Sequence, residues 1–354
     1  MKKSLVALAA LAVVGAASAQ SSVTLFGVVD ATYAYGSGSV SNKSQLTNSG
    51  YNSSRLGFRG VEDLGGGMSA SFWLEAGIAN DDGQGAATNS NNQATGAGAA
   101  VAGRQGLTFN RRSTVSLNGG FGEIRLGRDY TPQFWNLTVF DPFGTNGVGT
   151  TQTLNSSIGG PTTIRASNSI GYFLPGNLGG FYGQAQYYMG ENASNLANKK
   201  DGNGLSARVG YANGPINVAL AVAETKFLTG NIKAWNLGGQ YDLGVAQIMA
   251  HYNQDKISNG GADGKGFLIG GLVPVGAGEI RLSYSTYKVA TVGADPRSNQ
   301  IALGYVHNLS KRTALYATYA HTSNKNGATT SLNGSSTAAG DNSNGYDFGI
   351  KHSF

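Results

Sequence analysis

The chain has 354 residues, no cysteine, and 25 basic against 19 acidic side chains for a formal charge of +6. Disulfide frameworks and thiolate metal sites are thereby excluded. The 55 glycines follow no G-X-Y period and the 17 tyrosines far outnumber the 7 prolines, which rules out collagen and argues against disorder. No Lys/Arg run of the nucleic-acid-binding kind is present, so no nucleic-acid partner is expected.

In chain order, Lys2 and Lys3 form a basic start, residues 5–14 an apolar core, and Ala17-Ser18-Ala19 a small-residue cleavage signal. This is the layout of a secretory signal peptide, with cleavage expected after Ala19 and a single working domain over residues 20–354. Removing it lowers the charge to +4, because Lys2 and Lys3 leave and no acid goes with them. Beyond it no apolar run approaches the roughly 18 residues that a spanning helix needs.

The rest of the chain alternates with period two, the signal of a strand with one apolar and one polar face. Residues 22–35 set Val23, Leu25, Val29, Ala31 and Tyr33 against Asp30 and Thr32; residues 54–61 set Leu56 and Phe58 against Arg55 and Arg59. Residues 68–78 set Phe72, Leu74 and Ile78 against Ser69, Ser71 and Glu75. Trp73 falls on the polar side there, a place expected to lie beneath the long loop described below. The pattern continues through Val115 and Leu117 opposite Arg112 and Thr114, and on to Tyr346, Phe348, Ile350, His352 and the terminal Phe354. Sixteen such segments are legible.

Their connections alternate in length. Seven short Gly/Asn/Pro-rich turns are interleaved with eight longer polar loops, among them residues 80–103, 191–203, 254–265 and 323–343. Short turns at one end and long loops at the other describe an outer-membrane barrel. A closed sheet satisfies every backbone polar group, as lipid demands, and at about sixteen strands its interior is too wide for side chains to fill. The fold class is therefore all-β: a 16-stranded antiparallel transmembrane β-barrel. One connection stands apart. Residues 128–155 read RDYTPQFWNLTVFDPFGTNGVGTTQTLN, and Phe134, Trp135, Phe140 and Phe143 are too apolar for a free surface loop. A long connection of this kind is usually functional, and it is expected to fold into the barrel and narrow a channel.

Several stretches resemble one family: VTLFGVVDATY at 23–33, SRLGFRGVEDLGGGMSASFWLE at 54–75, RRSTVSLNGGFGEIRLGR at 111–128 and YDFGIKHSF at 346–354. The chain resembles the trimeric general porins of Gram-negative outer membranes, in particular the β-proteobacterial branch with its anion-selective porins of the Comamonas/Delftia type. The resemblance implies a homotrimer, the third long loop folded inward, a second long loop reaching over a neighbouring subunit, and contact with outer-membrane lipid and lipopolysaccharide. It implies an assembly role for Phe354. In the family, acids at the tip of the inner loop face a ladder of arginines. Here the tip reads Asp141-Pro142-Phe143-Gly144-Thr145-Asn146, without the acid after the proline, which speaks against cation preference.

A channel needs charge at its narrowest point rather than a catalytic group. Arg55, Arg112 and Arg165 lie on polar strand faces and match ladder positions, and Arg59, one pleat from Arg55, extends the set. Small anions are the expected permeants. Glu75 and Asp141 are the candidate opposing acids, and Trp135, Phe140, Pro142, Phe143 and Gly144 the constriction loop. His251, His307, His321 and His352 lack metal-ligand spacing and read as solvated strand positions. No cofactor, metal or catalytic residue is expected. The rival functions are a substrate-specific channel, for example for organic acid anions, a loop-mediated adhesin, and an outer-membrane barrel enzyme such as a protease or lipase.

Overall fold

The computed structural model describes residues 22–93, 104–291, 293 and 295–354. The leader expected at 1–19 and residues 94–103 of the second long loop lie outside them. Among the described residues nineteen strands form one antiparallel sheet. Three short ones, Lys43–Asn48, Gln84–Ala86 and Arg104–Gln105, sit in loops, and the other sixteen make the wall. Ser22–Gly38 pairs with Arg55–Gly65 on one side and with the final strand Ser343–Ser353 on the other, so the sheet closes. Phe354 completes the seam by exchanging backbone bonds of 3.1 Å with Gly27.

Period two does what it should in a wall between lipid and water. Val23, Leu25 and Tyr33 are exposed on the outer surface, while Asp30 and Thr32 on the alternate face are fully buried inside. The seven short turns fall where the sequence places them. The expected loop at 254–265 is mostly strand instead: Gln247–Ile257 and Asp263–Val275 leave only five residues between them. Its polarity is that of an inner wall, where Asn253 and Asp255 bond each other and the Tyr287 hydroxyl donates to Asp255 at 2.5 Å.

The long connection between Gly122–Tyr130 and Arg165–Phe173 lies within the lumen. It carries a helix, Pro132–Val139, and a single turn, Gln152–Asn155. Pro132 opens the helix, where its missing N–H costs nothing and its fixed φ suits the first turn. Asn136 ties the helix to the wall by donating to the Ala219 carbonyl at 2.8 Å.

What lets the loop lie flat is a series of glycines on every second strand. A Cβ on Gly238 would fall 2.1 Å from the Phe140 ring, on Gly270 2.7 Å from Pro142, on Gly304 3.0 Å from Phe143 and on Gly345 2.3 Å from Val148. Phe140 and Phe143 are buried in these sockets, Phe143 within a small apolar core with Val148, Ala302, Ala320 and Leu332.

Candidate pore constriction

Facing the loop is the wall formed by Arg55–Gly65, Met68–Ala79 and Arg112–Gly119. Register sets Arg59 opposite Trp73 and Trp73 opposite Thr114, then Glu75 opposite Arg112. Further round, Arg165 stands opposite Tyr130. A cavity of about 830 Å³ separates this wall from the loop. Arg55, Arg59, Arg111, Arg112 and Arg165 all line it, against two carboxylates, Glu75 and Asp129. The loop edge of the cavity is uncharged: Trp135, Thr138, Gly144, Thr145 and Asn146.

The guanidinium groups are held in place by acceptors, by aromatic faces, or by both. Arg111 donates to Glu75 at 2.6 Å, and Arg55 lies 3.9 Å from the same carboxylate. Arg55 is steadied by the bend at residues 49–54, donating to Asn52 and to the Ser53 carbonyl at 2.8 Å each. Asp30 organises that bend by accepting the Tyr51 and Asn52 amides at 2.9 and 2.6 Å. The Tyr130 hydroxyl accepts from both Arg111 at 2.7 Å and Arg165 at 2.8 Å. Arg112 lies 4.6 Å above Trp73 and 3.7 Å from Asp129, while Arg165 lies 4.3 Å above Tyr130. Such contacts each contribute about 0.5–2 kcal/mol and orient the group without neutralising it.

The four arginines expected from the sequence therefore do meet. Arg111, Asp129 and Tyr130 were not foreseen. Strict alternation turns Arg111 away from Arg112, but the strand begins only at Arg112, so Arg111 is free to swing inward. Asp129 lies on the same face as Arg125 by ordinary alternation, and binds it at 2.5 Å. The doublet Arg111-Arg112 in register with Glu75 was the available signal.

Three expectations need correction. Asp141 does not oppose the arginines. It is buried inside the loop, where it accepts the amides of Phe143, Thr145 and Thr151 at 2.9, 3.2 and 3.3 Å, because an acid one residue before Pro142 is placed to cap its own turn. Trp73 is covered by the guanidinium groups of Arg59 and Arg112, 5.2 and 4.6 Å from its ring, rather than by the loop, and its indole N–H donates to Glu75 at 3.0 Å. His251 is buried, not solvated, because it pairs in register with Gly238, the socket that Phe140 fills. Within the loop, Trp135 and Gly144 border the cavity, while Phe140, Pro142 and Phe143 turn to the wall.

The model of the family described as Gram-negative porin matches residues 5–327. Outer membrane porin protein 32 of Delftia acidovorans is 40% identical over the whole of both chains. An outer membrane porin protein of Bordetella pertussis is 30% identical, with 75% of this chain and 72% of that one covered. Among solved structures, the anion-selective porin from Comamonas acidovorans superposes with a TM-score of 0.80 at 37% identity, over 95% of this chain and all of the other. A closed sixteen-strand barrel with a loop folded into its lumen and these relatives lead to one conclusion: the chain belongs to the Gram-negative porins and is a porin of the outer membrane.

Proposed function

We propose that this porin is a diffusion channel for small hydrophilic solutes that prefers anions, with Arg55, Arg59, Arg111, Arg112 and Arg165 as its filter. The observation that carries this reading is the charge of the constriction: five guanidinium groups against Glu75 and Asp129, facing a loop edge without charge. Guanidinium groups stay ionised when crowded, and a positive lumen between low-dielectric walls concentrates anions. Glu75 acts as the opposing acid that fixes Arg111 and Arg55. Trp135 and Gly144 form the opposite lip, and Phe140, Pro142 and Phe143 hold that lip in position. Asp141 serves the loop's own shape.

The same reading includes a leader at residues 1–19 removed on export, a single barrel domain over 20–354, a homotrimer, and a role for Phe354 in assembly. The likeness to an anion-selective porin supports it. The test is the zero-current potential of the purified protein in a planar bilayer across a KCl gradient. The expected potential has the sign for chloride preference and collapses when Arg55, Arg111, Arg112 and Arg165 are changed to Gln together. A cation-selective potential in the unaltered protein overturns the filter and leaves the porin.

A further inference from the structure

Beside the constriction lies a second cavity with a different lining. It measures about 400 Å³ and shares Leu154, Ile164 and Arg165 with the constriction, so the two adjoin. Its other walls are Asn89 of the second long loop, the stretch 157–163 where the inner loop returns to the barrel, and Arg128. Arg128 and Arg165 stand at or near the strand ends that lead into the long loops, and in an outer-membrane barrel that end is extracellular. The cavity is an anteroom on the outer side of the gap.

Among the described residues two cations line this anteroom and no carboxylate does. Arg128 donates from Nε to the Asn110 carbonyl at 2.6 Å, and from Nη1 to the Asn89 carbonyl at 3.3 Å and to Ser167 Oγ at 2.8 Å. These partners are all uncharged, and Nη2 has no acceptor among the described residues. Arg165 donates from Nε to the Arg111 carbonyl at 2.9 Å and from Nη2 to the Tyr130 hydroxyl at 2.8 Å, which leaves Nη1 without one. Each guanidinium thus keeps a terminal nitrogen for an incoming anion, and a bond between two charged groups is stronger than the neutral bonds they already make.

The rest of the lining includes an apolar patch that a water channel does not require. Leu154, Pro161 and Ile164 border the cavity, and Ile164 is 38% exposed. Contact with lipid does not account for Ile164, because it precedes the strand Arg165–Phe173 and borders the lumen. Covering such a side chain with an apolar solute is favourable in proportion to the area removed from water. A cavity of this size, apolar with a few convergent charges, falls within the range of small-molecule sites.

We propose that the anteroom binds organic acid anions that carry an apolar body, namely aromatic or branched carboxylates. Arg128 and Arg165 take the carboxylate, and Leu154, Pro161 and Ile164 take the body. The inference rests on the anion-preferring pore proposed above and adds to it a site with its own selectivity. Chloride gains nothing from the apolar patch, and a neutral aromatic solute gains nothing from the two guanidinium groups. A molecule with both ends uses the whole site.

The experiment is single-channel recording of the full protein in KCl, titrated separately with benzoate, acetate and benzyl alcohol. Benzoate should interrupt the current in a saturable way, at a concentration about fivefold or more below that needed for acetate. Benzyl alcohol at the same concentration should leave the current unchanged. Arg128→Gln should raise the benzoate concentration needed by about fivefold or more. It should keep the chloride preference in a KCl gradient, because Arg128 does not line the constriction. Ile164→Thr should raise the benzoate concentration about two- to threefold and leave that for acetate unchanged; it carries the test if Arg128→Gln fails to assemble. Equal action of benzoate and acetate, equal action of benzyl alcohol, or undiminished block in these variants overturns the site while the chloride preference stands. A cation-selective potential in the unaltered protein overturns instead the filter on which the inference rests.

Discussion

The two sides of the lumen are made from the same alternating strands and end as opposite surfaces. On the arginine side the inward positions carry long charged side chains that line an open gap. On the loop side every second strand sheds its side chain to glycine at the level of the constriction, at Gly238, Gly270, Gly304 and Gly345, and the loop fills the space. The contrast shows that the constriction is set by absence as much as by presence. The guanidinium groups can face a narrow gap only because four glycines let the opposing lip be anchored behind them.

The same substitution on the two sides breaks or upholds this contrast. Gly238→Ala puts a Cβ 2.1 Å from the Phe140 ring and must displace the loop. Overpacking of that kind costs on the order of 1–3 kcal/mol and should also alter single-channel conductance. Gly171, on the side of Arg125, has nothing closer to an added Cβ than Phe173 at 3.5 Å, so Gly171→Ala should stay within about 0.5 kcal/mol. Denaturant unfolding in detergent decides between them, and equal losses at both positions would mean that the sockets do not anchor the loop.

Glu75→Gln probes the other side. It removes the carboxylate that Arg111 binds at 2.6 Å and that Trp73 donates to at 3.0 Å. Loss of a charge-assisted bond at this buried carboxylate should cost about 1–3 kcal/mol. The zero-current potential should move further toward chloride, since one of two acids in the gap is gone. A shift toward potassium would show that Glu75 contributes only by positioning and that Arg111 collapses without it.

Acidity separates the loop's internal staple from the wall. Burial pushes the Asp141 carboxyl up from its ordinary 3.8 to about 6, against the pull of three backbone amides. A carboxyl whose folded pKa is raised favours the protonated fold. Its contribution is fully present below pH 3.8 and is lost as pH rises through 6. Compared with Asp141→Asn, the wild type should therefore lose stability between about pH 4 and 6.5, by about 1 kcal/mol per pH unit. Thermal unfolding of the two proteins across that range checks the sign; parallel curves would place the titration elsewhere.

Legibility follows the same division. The strands and short turns could be read because lipid imposes an apolar residue at every second position, and Arg55, Arg59, Arg112, Arg165 and Glu75 could be read because they occupy the other positions of regular strands. Where the backbone departs from regularity, the parity argument fails. Arg111 precedes its strand, whereas Asp129 keeps the parity of Arg125 and was within reach of the argument. The loop side failed for another reason. Alternation assigns His251 to the inside but cannot tell a wet inside from one covered by Phe140, and a glycine in a strand does not announce which ring will fill it.

Tyr130 belongs to both sides, and its loss should produce the smallest and most informative effect. It ends the strand that leads into the loop, its ring stacked 4.9 Å from Phe134 and edge-on to Trp135 at 5.2 Å. Its hydroxyl accepts from two guanidinium groups of the opposite set. Tyr130→Phe keeps the ring and removes only the shared acceptor. Net loss of such bonds should cost about 1 kcal/mol, leaving the loop seated and conductance nearly unchanged. Chloride preference should weaken, because Arg111 and Arg165 lose the atom that holds their charges together, yet by less than when either arginine is changed to Gln. If conductance changes as much as in Gly238→Ala, the phenol positions the loop; if selectivity falls while conductance holds, it positions the filter, and the two sides are joined through the oxygen rather than the ring.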